Sequence, residues 1–275
     1  MGEPVRVFME LAYDGRPFHG WQRQPQSISV QEELETALTR LMRNPVGVVG
    51  CGRTDTGVHA SYYVAHVQFD ASPLDGNRLR DWSQVVHKLN GMLPNSIAVF
   101  RMAEVHPKAH ARFSATERAY RYLMHNRKDA FLHGRSSRIH GELDVAAMQD
   151  AAKLMVRKGD FAAFCKSGSG AQTTVCDVRS CRLIQLDAHT LEFQIAADRF
   201  LRNMVRAAVG TLLEVGKGRR SPSDMERILD SKDRSQAGKS APPDGLYLSH
   251  VAYPPEIWPG PLASNAGSPP INFAT

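Results

Sequence analysis

The sequence predicts an α+β protein of two pseudo-symmetric halves, each with an antiparallel or mixed sheet and helices packed on one face. Strand-like segments arrive in pairs with no helix between them, which favours antiparallel or mixed pairing over a doubly wound parallel sheet. The order of strands and helices in residues 1–105 recurs in residues 106–253, although no residue-level repeat accompanies it. Residues 254–275 are rich in Pro, Gly, Ser and Ala, and we expect a loose tail there.

In the first half, an apolar strand is predicted from Arg6 to Tyr13, and it stops at the turn signal Asp14-Gly15. A helix follows Ser29, because Ser29 and Glu32 form a capping box and apolar residues then recur at helical spacing. The other elements predicted for this half are a helix at 77–92 and strands at 46–51, 62–69 and 97–102.

The second half is predicted to repeat this alternation of strands and helices. Residues 191–197 alternate apolar and polar side chains, as a half-buried strand does. The other elements predicted for this half are strands at 119–125, 175–186 and 246–253 and helices at 144–157 and 200–214.

The bulk composition suggests a phosphate-binding partner and a reducing compartment. The net charge is +6 and the isoelectric point is about 9.2, and a basic surface attracts phosphate, although many soluble proteins are equally basic. The four cysteines form no CxxC pair, so reduced thiols in a cytoplasmic protein are expected. An apolar signal core and a long apolar run are both absent, so neither secretion nor membrane spanning is expected.

Asp55 lies in the polar segment Gly52-Arg53-Thr54-Asp55-Thr56-Gly57-Val58-His59-Ala60, between two predicted strands. Thr and Asp favour turn hydrogen bonds to the backbone, and Gly57 tolerates a positive φ. An ordinary tight turn, whose Asp caps only itself, also explains this composition. A turn that only reverses the chain does not need Arg53, Asp55 and His59 so close together, so Asp55 is a candidate for chemistry.

The helix predicted at 200–214 has a basic side. At about 100° per residue, Arg199, Arg202 and Arg206 fall within roughly a 60° arc, and apolar residues fill the opposite side. A solvated basic face is the ordinary interpretation of such an arc. The alternative concerns Arg206, which flanks the apolar stripe. Its guanidinium could then lie at a groove between the helix and the sheet.

Two aromatic segments are compatible with nucleic-acid binding. Tyr120 and Tyr122 share one face of a predicted strand and Arg121 takes the other, and exposed aromatic residues beside arginines can stack on an extruded base. The alternative is a pair of core tyrosines, which we favour for Tyr122. The aromatic and basic residues 18–24 either touch RNA or place Trp21 in the core.

A metal or cofactor site is not predicted. The chain has eleven histidines, but no HExxH or clustered Cys/His pattern is present. A Walker or dinucleotide-type glycine pattern is also missing, since the loop at 166–170 is too short and misplaced for a P-loop.

Taken together, these residues resemble the TruA-type tRNA pseudouridine synthases along nearly the whole chain to about Tyr253. The matching segments, in order, are Tyr13-Asp14-Gly15, Phe18-His19-Gly20-Trp21-Gln22, Gly52 to Ala60, His110-Ala111-Arg112-Phe113-Ser114-Ala115, Tyr120-Arg121-Tyr122, Phe200-Leu201 with Met204-Val205-Arg206, and Gly245-Leu246-Tyr247-Leu248. Thr56 stands where the family often has Ala, and the Pro-rich tail is additional. Neither departure removes a reacting group.

The resemblance implies an enzyme that converts uridine to pseudouridine at positions 38–40 of the tRNA anticodon arm. It also implies a homodimer, no metal or organic cofactor, and two halves whose sheets lie side by side around a basic RNA-binding cleft. Asp55 matches the nucleophilic carboxylate, and Arg206 looks like the partner that keeps it ionised. Tyr120 would stack on the target uracil. The remaining tRNA contacts that the resemblance implies are Arg53, which would support the gap left by the flipped base, and Arg112, Lys166, Arg199 and Arg202, which would bind phosphates.

Two rival functions remain open at this point. A non-catalytic tRNA-binding or chaperone protein would share the charge and the aromatic residues, but it gives Asp55 no task. A metal-dependent hydrolase would use Asp55, His59 and His66.

Overall fold

A computed structural model describes residues 4–70, 81–168, 170 and 172–258. Most of the predicted tail and residues 77–80 of the second predicted helix lie outside the described residues. The strands and helices, in chain order, are β1 (Val5–Tyr13), α1 (Val30–Met42), β2 (Val48–Gly50), β3 (His59–Phe69), α2 (Trp82–Asn90), β4 (Ile97–Glu104), β5 (Glu117–His125), β6 (Ser137–Arg138), α3 (Val145–Lys153), β7 (Lys158–Asp160), β8 (Val175–Gln185), β9 (Thr190–Ala197), α4 (Met204–Gly216), α5 (Asp224–Ser231) and β10 (Leu246–Ala252). Short 3₁₀ turns occupy Ala162–Phe164, Arg234–Gln236, Pro243–Gly245 and Pro255–Ile257.

The chain forms two compact units. Unit 1 contains the described residues up to Thr116 and those from Leu248 onward, and unit 2 is Glu117–Tyr247. Unit 1 thus includes residues 106–116 and 248–253, which the sequence places with the C-terminal half. A hydrogen bond from the Thr116 amide to Ala252 O (2.9 Å) joins these two segments to each other. The division into independently folding domains stays a prediction, because compactness alone does not establish it.

In unit 1 the strands are ordered β4-β1-β3-β10, and β2 pairs with β3. β1 is antiparallel to both β3 and β4, so the predicted antiparallel pairing is confirmed here. Alternate β1 residues Val7, Met9 and Leu11 are fully buried, as expected of a strand with a core face. α1 begins at the predicted capping box, where Ser29 Oγ accepts a hydrogen bond from the Glu32 amide (3.3 Å).

In unit 2 the strands are ordered β5-β9-β8-β7. The pairs β5–β9, β8–β9 and β7–β8 are antiparallel, whereas β6 pairs with β5 in parallel, so this sheet is mixed. α3 packs on β8 and on α4. The predicted α+β class with antiparallel and mixed sheets is confirmed.

The start of α4 differs from the sequence prediction. Asn203 has φ of +66°, and the helix begins only at Met204. The Arg202 carbonyl accepts a hydrogen bond from the Lys166 amide (3.0 Å). Arg199 and Arg202 therefore precede α4, and the predicted helical arc shared with Arg206 is wrong.

The first residues of the predicted tail belong to the folded part of unit 1. Ile257 is buried, and its carbonyl accepts a hydrogen bond from the His106 amide (2.9 Å). The Trp258 ring packs edge-on against Phe8, with 5.8 Å between the ring centroids, and the Arg101 guanidinium lies over it. Residues 254–258 are thus not a loose tail.

Candidate active site

Asp55 lies in a turn between β2 and β3, which pair antiparallel. We call residues 51–58 the Asp55 loop. The Val58 amide donates to Asp55 O (3.1 Å), and Gly57 follows with φ of +76°, which favours glycine. Asp55 is half-buried and Arg53 is exposed. The carboxylate is therefore partly shielded from water, while an arginine on the same loop faces solvent.

A second loop, residues 14–21, supports the Asp55 loop through backbone contacts, and we call it the supporting loop. The Trp21 amide donates to Thr54 O (3.2 Å), and the Gly57 amide donates to Phe18 O (3.3 Å). Gly20 has φ of +92°, and a Cβ there would lie 2.5 Å from Thr54 O. Only glycine permits both this conformation and this approach, so the position of Asp55 depends on a main chain distant in sequence.

Three aromatic side chains lie beneath the Asp55 loop: Tyr13, Trp21 and Tyr63, all buried. The Trp21 and Tyr63 rings stack with 4.1 Å between centroids. The Tyr13 hydroxyl and Thr54 Oγ1 are 2.8 Å apart, and the Tyr63 hydroxyl donates to Gly52 O (2.5 Å). Trp21 thus fills the core, as one of the two interpretations of residues 18–24 expected. The two hydroxyls therefore hold the first half of the Asp55 loop, at Gly52 and at Thr54.

Asp14 and His59 connect the supporting loop to the start of β3. His59 Nδ1 lies 3.2 Å from Asp14 Oδ1 and 3.1 Å from the Gly15 amide nitrogen. Arg16 Nε is 3.0 Å from both oxygens of Asp14. Burial opposes ionisation of Asp14, but hydrogen bonds from His59 and Arg16 outweigh it and hold the pKa of that carboxyl well below its usual range. The ionised Asp14, together with His59 beside it, therefore supports the Asp55 loop next to its Val58 end.

Tyr120 lies on β5 in unit 2 and is half-buried, with its ring edge-on to Phe200 at 5.0 Å between centroids. Tyr122, two residues on, is fully buried, and its hydroxyl donates to Pro242 O (2.9 Å). Burial raises the pKa of Tyr122 to about 12. The preference for Tyr122 as a core residue is confirmed, and Tyr120 is the tyrosine of this strand that retains accessible surface.

Arg206 lies in the first turn of α4 and is half-buried. Its Nε donates to Ala241 O (2.7 Å), and its carbonyl accepts from the Ala241 amide (2.9 Å). Gly210 permits this approach, because a Cβ there would overlap Lys239 O. The segment 237–241 therefore determines where the guanidinium lies, and the sequence carried no signal for it except a glycine inside a helix.

The predicted phosphate-binding residues fall in different places. Lys166 and Arg202 are exposed and are brought together by their backbone hydrogen bond. Arg199 is half-buried, and its amide donates to Asp198 Oδ1 (2.7 Å). Arg112 is exposed and its guanidinium lies over the Phe113 ring, 5.4 Å from the centroid. Of these residues, the structure joins Lys166 to Arg202 within unit 2, whereas Arg112 lies in unit 1.

Two arginines near Tyr120 on β5 have structural partners. Arg121 forms an ion pair of 3.6 Å with the buried Glu192 and lies over the Tyr247 ring. Arg118 donates to Asp198 O (3.0 Å). The positive charges of Arg118 and Arg121 therefore already have partners within unit 2. A count of arginines in the sequence does not reveal this.

Neither a metal centre nor a membrane helix is found in the part of the chain that the structure describes. Within residues 4–70, 81–168, 170 and 172–258, no three His, Cys, Asp or Glu residues lie close enough to hold a metal ion. His66 Nδ1 instead accepts a hydrogen bond from the Ala111 amide (3.0 Å). Over the same residues, no helix has the length and apolar character needed to cross a membrane.

The relatives found by comparison with known proteins share one description. A family model described as tRNA pseudouridine synthase matches residues 151–254. The chain is 46% identical to tRNA pseudouridine synthase A of Bacteroides fragilis, over 92% of this chain and 98% of the relative. The protein of the same name from Parabacteroides distasonis is 43% identical over 92% and 98% of the two chains. That from Chromobacterium violaceum is 42% identical over 92% and 95%. The likeness therefore extends across both units.

Proposed function

The chain belongs to the tRNA pseudouridine synthase family, and on that premise we propose that it converts uridine to pseudouridine at positions 38–40 of the tRNA anticodon arm, with Asp55 as the catalytic carboxylate. The observation that carries the assignment of Asp55 is its setting: a half-buried carboxylate on a loop held by backbone hydrogen bonds to the supporting loop. A carboxylate held in this way keeps its geometry while a substrate binds, which catalysis requires.

The reaction breaks the bond between the uracil nitrogen and the sugar, turns the base, and joins the sugar to a carbon of the base. Asp55 serves it either by attacking the electron-poor sugar carbon or by removing a sugar proton. Both routes need the ionised carboxylate. We assign Arg206 to keep it ionised, since an opposite charge nearby favours the charged form. The bond from Arg206 Nε to Ala241 O supports this role, because it restricts the guanidinium before substrate binds.

Base recognition is assigned to Tyr120 and Arg53. Tyr120 would stack on the flipped uracil, a role supported by its accessible surface and by the Phe200 ring packed against it. Arg53 is exposed on the loop that carries Asp55, and it would occupy the gap that the flipped base leaves.

The remaining assignments concern tRNA binding and assembly. Arg112, Lys166, Arg199 and Arg202 would bind tRNA phosphates; the paired, exposed positions of Lys166 and Arg202 support this best. We propose a homodimer in the cytoplasm that uses no metal or organic cofactor. The cytoplasmic location is supported by four buried cysteines that are all free thiols.

Replacement of Asp55 tests the proposal. Asp55→Asn keeps the shape and removes the charge, so we expect pseudouridine formation to fall by several orders of magnitude while tRNA binding survives. The assay is carbodiimide labelling of an unmodified tRNA transcript, which also maps the modified position. Asp81→Asn is the matched control: Asp81 is an exposed cap of α2 in the same unit, and Asn caps equally well.

Three results would contradict the proposal. Normal turnover by Asp55→Asn would exclude Asp55 as the catalytic carboxylate. Labelling outside positions 38–40 would exclude the assigned site. Binding of tRNA by the wild-type protein without any pseudouridine would favour a non-catalytic tRNA-binding protein.

A further inference from the structure

Phe113 is displayed at the surface on a rigid support. It belongs to residues 106–114, which follow β4 in unit 1 and which we call the hook. Phe113 is 75% exposed, more than any other large apolar residue described in unit 1. Exposed apolar residues are common, so exposure alone indicates nothing. The support beneath this residue is what makes it unusual.

Contacts from elsewhere in unit 1 fix the backbone of the hook at Ala109 and Ala111. Arg6 Nη1 donates to Ala109 O (2.9 Å). Ala111 is held on both sides, since its amide donates to His66 Nδ1 (3.0 Å) and its carbonyl accepts from the Tyr253 hydroxyl (2.6 Å). These partners lie on β1, on β3 and just after β10, so the hook is joined to the sheet at several points.

His110 orders the tip of the hook. Its Nδ1 accepts hydrogen bonds from the amides of Arg112 (3.1 Å) and Phe113 (3.2 Å). Ser114 closes the turn, with its Oγ accepting from the His110 amide (3.0 Å) and its own amide donating to His110 O (2.9 Å). Burial and the charges of Arg6 and Arg112 lower the pKa of His110, which favours the neutral ring that can accept these bonds.

The tip presents an aromatic and cationic surface. The rings of His110 and Phe113 are 4.4 Å apart between centroids, and the Arg112 guanidinium lies over the Phe113 ring. Residues 105–116 contain Lys108 and Arg112 but no acidic residue. Aromatic side chains interleaved with cations are typical of surfaces that bind single-stranded nucleic acid, whereas a protein partner does not require the absence of acidic groups.

We propose that Phe113, with His110 and Arg112 beside it, is a stacking platform for one unpaired base of the tRNA other than the target uracil. This inference rests on the proposed function in one respect: it takes tRNA as the ligand. A rigidly held ring loses little conformational freedom on binding, so stacking on it is more favourable than on a mobile side chain. The base would be found in a loop, because bases within a helix are already stacked on their neighbours.

A double-mutant cycle between protein and RNA tests this assignment. Binding is measured in the Asp55→Asn background, so that turnover does not alter the RNA. Phe113→Ala should weaken binding of the intact transcript by about 5- to 150-fold, the range that stacking of one base accounts for. A set of transcripts, each with one loop nucleotide made abasic, should contain one to which the parent protein and Phe113→Ala bind equally.

Three further variants separate stacking from other effects. Phe113→Leu should lose nearly as much tRNA affinity as Phe113→Ala, because leucine has no ring. Phe113→Tyr should bind tRNA as the parent does, because it keeps the ring. Phe113→Ala should leave the dependence of log Kd on log salt unchanged, while Arg112→Ala should lower that slope by about one phosphate contact. Phe100→Ala, which removes another exposed ring of unit 1, should bind as the parent does.

Several outcomes would overturn the platform. Equal binding of every transcript by Phe113→Ala and the parent would do so. The same loss of affinity on every abasic transcript would also do so, because it would indicate a general structural effect. A loss of dimer mass in sedimentation with unchanged tRNA affinity would assign Phe113 to a protein interface. Phe113→Tyr keeps the ring and therefore tests stacking even if Phe113→Ala folds poorly. Loss of tRNA binding by Phe113→Tyr would contradict the platform. Pseudouridine formation by the wild-type protein is measured separately. If it occurs while Phe113 shows no coupling to any loop nucleotide, the platform is refuted and the proposed function is not.

Discussion

Gly210→Ala separates helix propensity from tertiary packing in α4. Alanine is favoured over glycine inside a helix by about 1 kcal/mol, so propensity alone predicts a more stable protein. The structure predicts the opposite. A Cβ at Gly210 would overlap Lys239 O and would lie 2.9 Å from Lys239 C and 3.4 Å from the Ala241 amide nitrogen. These atoms belong to the backbone, so no side-chain rotation relieves the overlap.

The net effect follows from the bonds that hold segment 237–241 on α4. Overpacking of a tight contact costs about 1–3 kcal/mol. Displacing the segment also weakens hydrogen bonds worth about 1 kcal/mol each. They run from the Gly238 amide to Thr211 Oγ1 (2.9 Å) and between Ala241 and Arg206 (2.7 and 2.9 Å). After the propensity gain is subtracted, we expect the free energy of unfolding to fall by about 2 kcal/mol or more.

Urea denaturation followed by far-ultraviolet circular dichroism measures this loss. Tryptophan fluorescence is less suitable, because Trp21, Trp82 and Trp258 all lie in unit 1. Gly47→Ala is the control, since a Cβ there has open space, and it should change stability by less than about 0.5 kcal/mol. Single-turnover pseudouridine formation by Gly210→Ala should also fall, because Ala241 holds Arg206. A variant at least as stable as wild type would refute the packing argument.

Two further predictions concern unit 1. His66 is buried, and burial together with the charges of Arg6 and His110 lowers its pKa to about 3. The unfolded chain therefore takes up a proton near pH 6.5 that the folded chain refuses, so stability is lost as pH falls from about 6.5 to 3, by up to about 1.4 kcal/mol per pH unit. Urea denaturation across this range should show a smaller change of unfolding free energy with pH for His66→Gln than for wild type. His133→Gln, at an exposed position, should leave that slope unchanged. Equal slopes for His66→Gln and wild type would contradict the assignment. Tyr13→Phe removes the hydroxyl beside Thr54 Oγ1 and should lower single-turnover activity with a stability loss of about 1 kcal/mol, whereas Tyr247→Phe, which removes a bond to Arg135 O, should cost similar stability with less effect on turnover. The explanation fails if the two variants lose activity equally.

Local patterns predicted most of the secondary structure because their signals are local too. The capping box at Ser29 placed the start of α1, an apolar run identified β1, and alternation identified β9. The start of α4 was missed because Leu201, Met204 and Val205 continue the apolar spacing of the helix backwards. Asn203 interrupts that pattern by adopting a left-handed conformation, which Asn tolerates better than most residues.

The residues of the candidate site could be proposed from the sequence, but the contacts that support them could not. The segment around Asp55 is recognisable in the sequence, and so is Tyr120. Nothing in the spacing of residues indicates that Trp21 donates to Thr54 O or that Ala241 accepts from Arg206. These bonds join residues far apart in sequence, so they depend on tertiary structure. The available signals were Gly20 and Gly210, each placed where a backbone approaches too closely for a side chain.

The same physical device therefore supports the assigned residue in each unit. Asp55 and Arg206 are half-buried, and each is positioned by a glycine that admits a neighbouring main chain. Backbone hydrogen bonds hold a group more firmly than a long side chain does, because there are fewer rotatable bonds to restrain. Of the assigned phosphate contacts, Arg112, Lys166 and Arg202 are instead exposed, where charges are screened by salt and can follow the RNA. Groups that need geometry are thus built on backbone contacts, and groups that need only charge are left on the surface.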